Sequence, residues 1–322
     1  MITIYSYNIA EGTLSCPSVA ELPGLVEAEN VDLWVDLETP TKEESEILGS
    51  VFSFHELAIE DCVALEIEEA KIDDYEDYLF LVFHSVVFNN EKLTFDVSEL
   101  DIFFGEKYVV TYHKKPVLSI NHLWKRLERN IDFMSQGTDE ILHAIIDAVV
   151  DDVGRSFKKL ERTFFMLGAE ILSDSSQKTF KNLFLLKRSL INLRRVLAPA
   201  EEVIEELGTK EHELIQENNR VYFQDVHDHM STIQGLLNSY MEMLSGTIDS
   251  HIHFTTLRMT NVMTILTVIA TIMIPLLLIT SIYGMNIDLP LQGHPLAFWS
   301  VMGTAIIVSI GVVIVFIRKD WL

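Results

Sequence analysis

Two Asp–His pairs stand four residues apart, Asp225 with His229 and Asp249 with His253, with His227, Asp228 and His251 beside them. One turn of helix sets each pair side by side, so a carboxylate oxygen and an imidazole nitrogen could share a divalent cation. The blander reading, solvated side chains on an exposed helix face, is the commoner fate of such residues. From Asp249, alternating steps of four and three pick out His253, Thr256, Thr260, Met263, Thr267, Ala270, Ile274, Leu277 and Ser281. That face begins charged and continues small, hydroxylated or unbranched. It could be a helix-packing seam, or one wall of an ion pathway in which several copies of the helix surround an axis. On the second reading Asp249 repeats as a carboxylate ring and Met263 as an apolar constriction. No G-x-S-x-G, H-E-x-x-H, dinucleotide or G-x-x-x-x-G-K-[ST] fingerprint is present, so the sequence offers no hydrolytic centre and no ATP-driven step. A membrane-anchored sensor or enzyme built on Glu66, Glu68, Glu69, Asp73 and Asp74 is the remote alternative; a solvated edge explains those carboxylates better.

The elements that must hold the stripe follow from hydropathy. Residues 259–282 and 296–317 are runs of 24 and 22 without an ionisable side chain, each long enough to cross about 30 Å of hydrocarbon as helix. Arg258 precedes the first run and Arg318 and Lys319 follow the second, whereas residues 286–295 contain no Lys or Arg. The positive-inside rule therefore places both termini in the cytoplasm. Tyr283, Phe298, Trp299 and Trp321 fall where interfacial aromatics belong. One helix cannot enclose a pore, so two spans per chain imply a cyclic homo-oligomer with first spans inside and second spans outside.

The 322 residues carry 48 acidic against 24 Lys and Arg side chains, a net charge of -24. No basic surface remains for nucleic acid, and the expected partners are divalent cations, the lipid bilayer and further copies of the chain. Residues 1–80 hold 20 of the acids and only two basic residues, Lys42 and Lys71; such a surface repels itself unless cations or a partner offset it. Cys16 and Cys62 stand far apart, which fits a reducing compartment, and the start lacks a basic-then-apolar leader.

The pattern over residues 1–137 mixes strands with helices. Residues 2–7, 31–37, 78–88, 97–104 and 108–112 are rich in β-branched and aromatic types, the last two joined by Gly105-Glu106-Lys107 as in a hairpin. Residues 41–50 and 116–133 read as helices, the first opened by a Thr41/Glu44 capping box. Over 138–218 the strands give way to a helical hairpin, its first arm capped by Thr138, its second by Asp174 or Ser175 and ended by Gly208. After a break at Asn218-Asn219, residues 219–283 read as a stalk helix of about 95 Å running into the first span. An outer loop (284–295), the second span (296–317) and a short tail (318–322) complete the chain. The fold class is an α+β membrane protein: a cytoplasmic α/β domain, a helical hairpin, a very long stalk and two C-terminal transmembrane helices.

The first span ends in Tyr283-Gly284-Met285-Asn286. Alone this could be a C-cap glycine beside an interfacial tyrosine. With a short outer loop, a final span and a long stalk, it resembles the CorA family of divalent-cation channels, whose signature is Gly-Met-Asn. Segments 59–61, 146–152, 222–229 and 269–271 are similar to family segments in the family's order. The resemblance implies a funnel-shaped homopentamer in the inner or plasma membrane, a channel and not an enzyme, carrying magnesium and often cobalt or nickel inward. It further implies a selectivity mouth of Gly284, Met285 and Asn286, and an acidic ring at Asp249. Regulatory magnesium would sit between subunits, held by Asp61 facing Asp225, with Glu60 and Asp147 nearby. A mouth of neutral amide oxygens suits an ion that gives up its waters reluctantly, and Gly284 would let backbone carbonyls approach the axis. The outer loop departs from the family's Met-Pro-Glu, leaving Asp288 as its carboxylate, and the tail is only weakly basic. A zinc or other transition-metal transporter of the same architecture is the nearest rival, favoured by the histidine pairs and by His294; retention of Met285 favours magnesium.

Overall fold

The computed structural model describes residues 1–64, 66–127, 134–173, 177–286 and 294–319. They form two compact units, residues 1–246 and 247–322.

The first unit is built on a seven-stranded sheet. Its strands are β1 (Ile2–Asn8), β2 (Thr13–Ser15), β3 (Val31–Glu38), β4 (Lys71–Asp74), β5 (Tyr78–Asn89), β6 (Thr94–Gly105) and β7 (Tyr108–His113), in the order β2-β1-β3-β7-β6-β5-β4. Neighbours are antiparallel except β3 and β7, which run parallel. Between the strands lie five short helices: α1 (Leu22–Val26), α2 (Lys42–Ser45), α3 (Ile47–Ser50), α4 (Glu56–Val63) and, after β7, α5 (Leu118–Leu127). Alternation along β3 sends Leu33, Val35 and Leu37 to one face, where they join Leu48, Phe54, Ala58, Cys62, Phe80 and Phe103 in a buried core. Trp34, on the other face, stacks on Trp124 of α5 with ring centroids 3.7 Å apart. Burial of one such large side chain contributes about 1.5–3 kcal/mol.

Three long helices follow: α6 (Thr138–Ser173), α7 (Gln177–Thr209) and α8 (Glu217–Tyr283). The N-terminal part of α8 buries Phe223, Val226, Met230, Ile233, Leu237, Tyr240 and Leu244, a three-four repeat of the kind that seats one helix along another. Tyr240 meets Phe157 and Phe164 of α6 at centroid distances of 6.4 and 5.6 Å.

Several local readings change. The first helix breaks at Glu46 into α2 and α3, although the Thr41/Glu44 capping box forms as expected. Strands β2 and β4, both at sheet edges, lie outside the sequence-predicted set. Thr138 does not cap α6, because its hydroxyl donates to the carbonyls of Gly105 and Glu106 at 3.2 and 3.0 Å and ties the helix to the β6–β7 hairpin. The break before the stalk falls at residues 210–216, so α8 opens at Glu217, one residue before Asn218, and α7 ends at Thr209, one residue after Gly208. Asp174 and Ser175 are outside the described residues.

Asp101 on β6 is 1% exposed, and among the described residues one of its carboxylate oxygens has no hydrogen-bond partner. Burial, then the nearby Glu99, pushes its carboxyl from an ordinary 3.8 up to about 8, against the pull of Lys114. The folded chain therefore keeps a proton that the unfolded chain releases, and stability falls as pH rises between those two values, by up to about 1.4 kcal/mol per unit. Asp101→Asn should flatten that dependence and raise the apparent Tm at mildly alkaline pH; thermal melts of both proteins across a pH series check this.

The second unit contains the C-terminal part of α8 and α9 (Ala297–Arg318). Both helices are long and apolar enough to cross a membrane. Leu266, Ile274, Leu277, Trp299, Ile307 and Ile317 are each more than half exposed. Apolar surface on this scale needs lipid or other protein to cover it.

Candidate ion pathway and cation sites

In the second unit, every residue of the predicted stripe, from Asp249 to Ser281, is exposed. The less exposed positions of the same stretch, Thr264, Val268, Thr271, Ile272, Pro275, Leu276 and Ile279, centre on a neighbouring flank of α8, about a third of a turn away. The stripe is thus an open face of the helix rather than the face the unit covers for itself. Thr256, Thr260 and Thr267 donate their hydroxyls to the carbonyls of Ile252, Thr256 and Met263, four residues back, at 2.9, 2.9 and 2.8 Å. This back-bonding fixes each rotamer along the helix.

α8 ends at Tyr283, and the backbone then tightens: the Gly284 amide donates to Thr280 at 3.0 Å and that of Met285 to Ile282 at 3.2 Å. Gly284 is not in the left-handed region, so it is not the left-handed C-cap that its position suggests. A Cβ there would meet only carbonyls of its own last turn, Thr280 at 3.2 Å and Ser281 at 3.5 Å. Met285 and Asn286 are exposed. Asp288 and Trp321 lie outside the described residues.

The predicted regulatory carboxylates are on the first unit. Glu60 and Asp61 occupy the last turns of α4, Glu60 exposed and Asp61 partly so. Lys71 on the edge strand β4 donates to Asp61 at 2.6 Å and pairs with Asp73 at 3.0 Å. Partial burial works against charge on Lys71, but the hydrogen bonds to Asp61 and Asp73 outweigh it and raise its pKa. This lysine was not among the expected site residues. Its signal was present, since it is one of the two basic residues within the acidic first 80.

Asp147 on α6 is half-buried, its carboxyl raised by burial and then by Asp151. It lines a small cleft with His122, Arg126 and Arg155. On α8, Asp225 is 70% exposed and 3.9 Å from His229, while His227 lies 4.0 Å from Glu201 and 3.8 Å from Asp228. The structure thus brings together Asp225 with His229 and Asp61 with Lys71.

Residues 30–319 match the model of the CorA-like Mg2+ transporter protein family. The chain is 33% identical to YfjQ of Bacillus subtilis, named for metal ion transport, over 89% of each chain. It is 27% identical to the cobalt/magnesium transport protein CorA of Thermotoga maritima, covering 85% of this chain and 79% of the relative. The fold superimposes on the complete CorA magnesium transporter of Methanocaldococcus jannaschii with a TM-score of 0.85 at 21% identity, covering 100% of this chain and 99% of the other. Its α/β domain, long helix and two apolar C-terminal helices are the parts of a membrane protein that moves divalent metal ions and not of an enzyme. The chain belongs to the CorA-like Mg2+ transporter protein family.

Proposed function

We propose that this protein is a homopentameric channel through which magnesium enters the cytoplasm down the membrane potential, with cobalt or nickel as secondary cargo and both termini cytoplasmic. The observation that carries the reading is the stripe from Asp249 to Ser281, exposed at every position and, unlike the exposed apolar residues Val262, Ile265, Leu266, Ile269 and Leu278 beside it, rich in polar and small side chains. Five such faces around an axis make a wall of one carboxylate ring and one imidazole ring, then hydroxyl, thioether and aliphatic rings. Two charges crossing about 100 mV gain roughly 4.6 kcal/mol, enough to drive uptake without a nucleotide. Gly284, Met285 and Asn286 form the mouth, and Asp288 draws cations towards it. Magnesium held by Asp61 and Asp225 of adjacent subunits, with Glu60 and Asp147 nearby, closes the pore. The Thermotoga maritima relative, named for cobalt and magnesium transport, supports this choice of cargo.

Proteoliposomes under an inside-negative potential should take up magnesium, with competition by cobalt and nickel and block by hexammine-cobalt, which mimics the hydrated ion. Preferential uptake of zinc would select the transition-metal transporter instead, and no uptake of any divalent ion would remove the channel reading. Cysteines placed singly at Thr260, Met263, Thr267 and Ile274 should react with water-soluble thiol reagents when the pore is open, whereas cysteines at Val268 and Ile272 should stay protected. Equal protection at all six positions would return the stripe to helix packing.

A further inference from the structure

The α/β domain holds a cluster of metal-ligating side chains separate from the candidate cation sites described above. β3 and β7 are parallel, and their register pairs Asp36 with Thr111 and Glu38 with His113. Side chains alternate along each strand, so Trp34, Asp36 and Glu38 project from the same face as Thr111 and His113. A carboxylate oxygen of Asp36, one of Glu38 and a ring nitrogen of His113 all lie within 4.8 Å of one another. Asp36 is 2% and His113 1% exposed, while Glu38 is partly open to solvent.

The supporting bonds have the form expected around a metal. Trp34 Nε1 donates to Thr111 Oγ1 at 3.2 Å, and Thr111 Oγ1 donates to Asp36 Oδ1 at 2.6 Å, which orients that carboxylate. His113 Nδ1 lies 2.7 Å from the Lys115 carbonyl, which can only accept. Nδ1 therefore carries the proton, and Nε2, 3.1 Å from Asp36 Oδ1, is the nitrogen turned to the carboxylates. A ligating imidazole held by a backbone carbonyl through its other nitrogen is a recurrent feature of protein metal sites. The cluster also stands at the carboxyl ends of the parallel pair, the end at which α/β sheets usually receive ligands.

We propose that Asp36, Glu38 and His113 bind one transition-metal dication, Zn2+ or Co2+, and so cross-link the ends of β3 and β7. One nitrogen and two carboxylate donors favour such ions over magnesium, which takes oxygen ligands in a strict octahedron. The competing description is a metal-free ion pair in which Nε2 also carries a proton and donates to Asp36.

The stacked Trp34–Trp124 pair provides the readout. In full-length protein in detergent, with Trp299 and Trp321 changed to Phe, emission comes from Trp34 and Trp124 alone, and Trp34 bonds directly to the ligand scaffold. Titration with Co2+ should quench that emission saturably in the presence of excess magnesium. Glu38→Gln, at the least buried ligand, should weaken the quenching by about tenfold or more, as should His113→Gln. Circular dichroism identifies any variant that has failed to fold. Quenching of equal affinity in the parent and a folded Glu38→Gln variant, the absence of saturable quenching, or displacement of Co2+ by an equal concentration of magnesium would each overturn the site and leave the ion pair.

Discussion

Asn286→Ala and Gly284→Ala should each lower magnesium flux at least tenfold while the oligomer still assembles. A hydrogen bond to a charged species contributes about 1.5–3 kcal/mol, and a ring of amides loses all its members at once because every subunit carries the change. The structure sharpens the Gly284 case. Its φ is not left-handed, and an added Cβ would meet only carbonyls of the residue's own turn. Within the described chain an added Cβ needs only a few tenths of an ångström of give from the Thr280 carbonyl, so any larger demand for glycine should come from the ion or from neighbouring copies. Gly284→Ala should accordingly fold and assemble like the parent. Flux assays with size-exclusion chromatography separate the cases: normal flux and normal hexammine-cobalt block in both variants would remove Gly284 and Asn286 from the mouth, and loss of assembly would make Gly284 a packing residue.

Lys71→Met should make the channel close at a lower magnesium concentration, by about threefold to tenfold. Two opposed charges about 4 Å apart interact by about 1 kcal/mol in water and about 4 kcal/mol at an effective dielectric of 20. Lys71 and Asp61 are 35% and 28% exposed, so the effect belongs near the weaker end. On the proposed mechanism, an ion bridging Asp61 to Asp225 of the next subunit would compete with the ammonium hydrogen-bonded to Asp61. Removing that ammonium leaves the carboxylate free for magnesium and shifts the population towards the closed state. Asp225→Asn should act in the opposite direction and relieve inhibition. Protease protection and flux measured across a magnesium titration check both; curves for the two variants that overlay the parent would show that this acidic pair is not the sensor.

What the sequence disclosed depended on how local the cause was. The two spans were legible because 24 and 22 uncharged residues have few other uses. The Thr41/Glu44 capping box was legible because its bonds close within four residues. Thr138 misled for the complementary reason: its type suits a cap, but the β6–β7 hairpin, more than 30 residues earlier, takes its hydroxyl. β4 escaped notice because Lys71-Ile72-Asp73-Asp74 has little strand propensity and owes its place to pairing with β5 along one edge. Lys71 stood out by its charge, but its pairing with Asp61, like the Asp36–His113 cluster, was not legible because sheet register and helix packing, not spacing, bring the members together.

The back-bonded threonines of α8 bear on the sign of the permeating charge. Once Thr256, Thr260 and Thr267 have given their protons to their own helix, their oxygens retain only lone pairs for anything passing alongside. A pathway lined this way discriminates by the sign of the charge without any fixed charge at those levels. It solvates a cation or the outward hydrogens of a cation's water shell, and it offers nothing to chloride, whose hydration shell must be matched by donors.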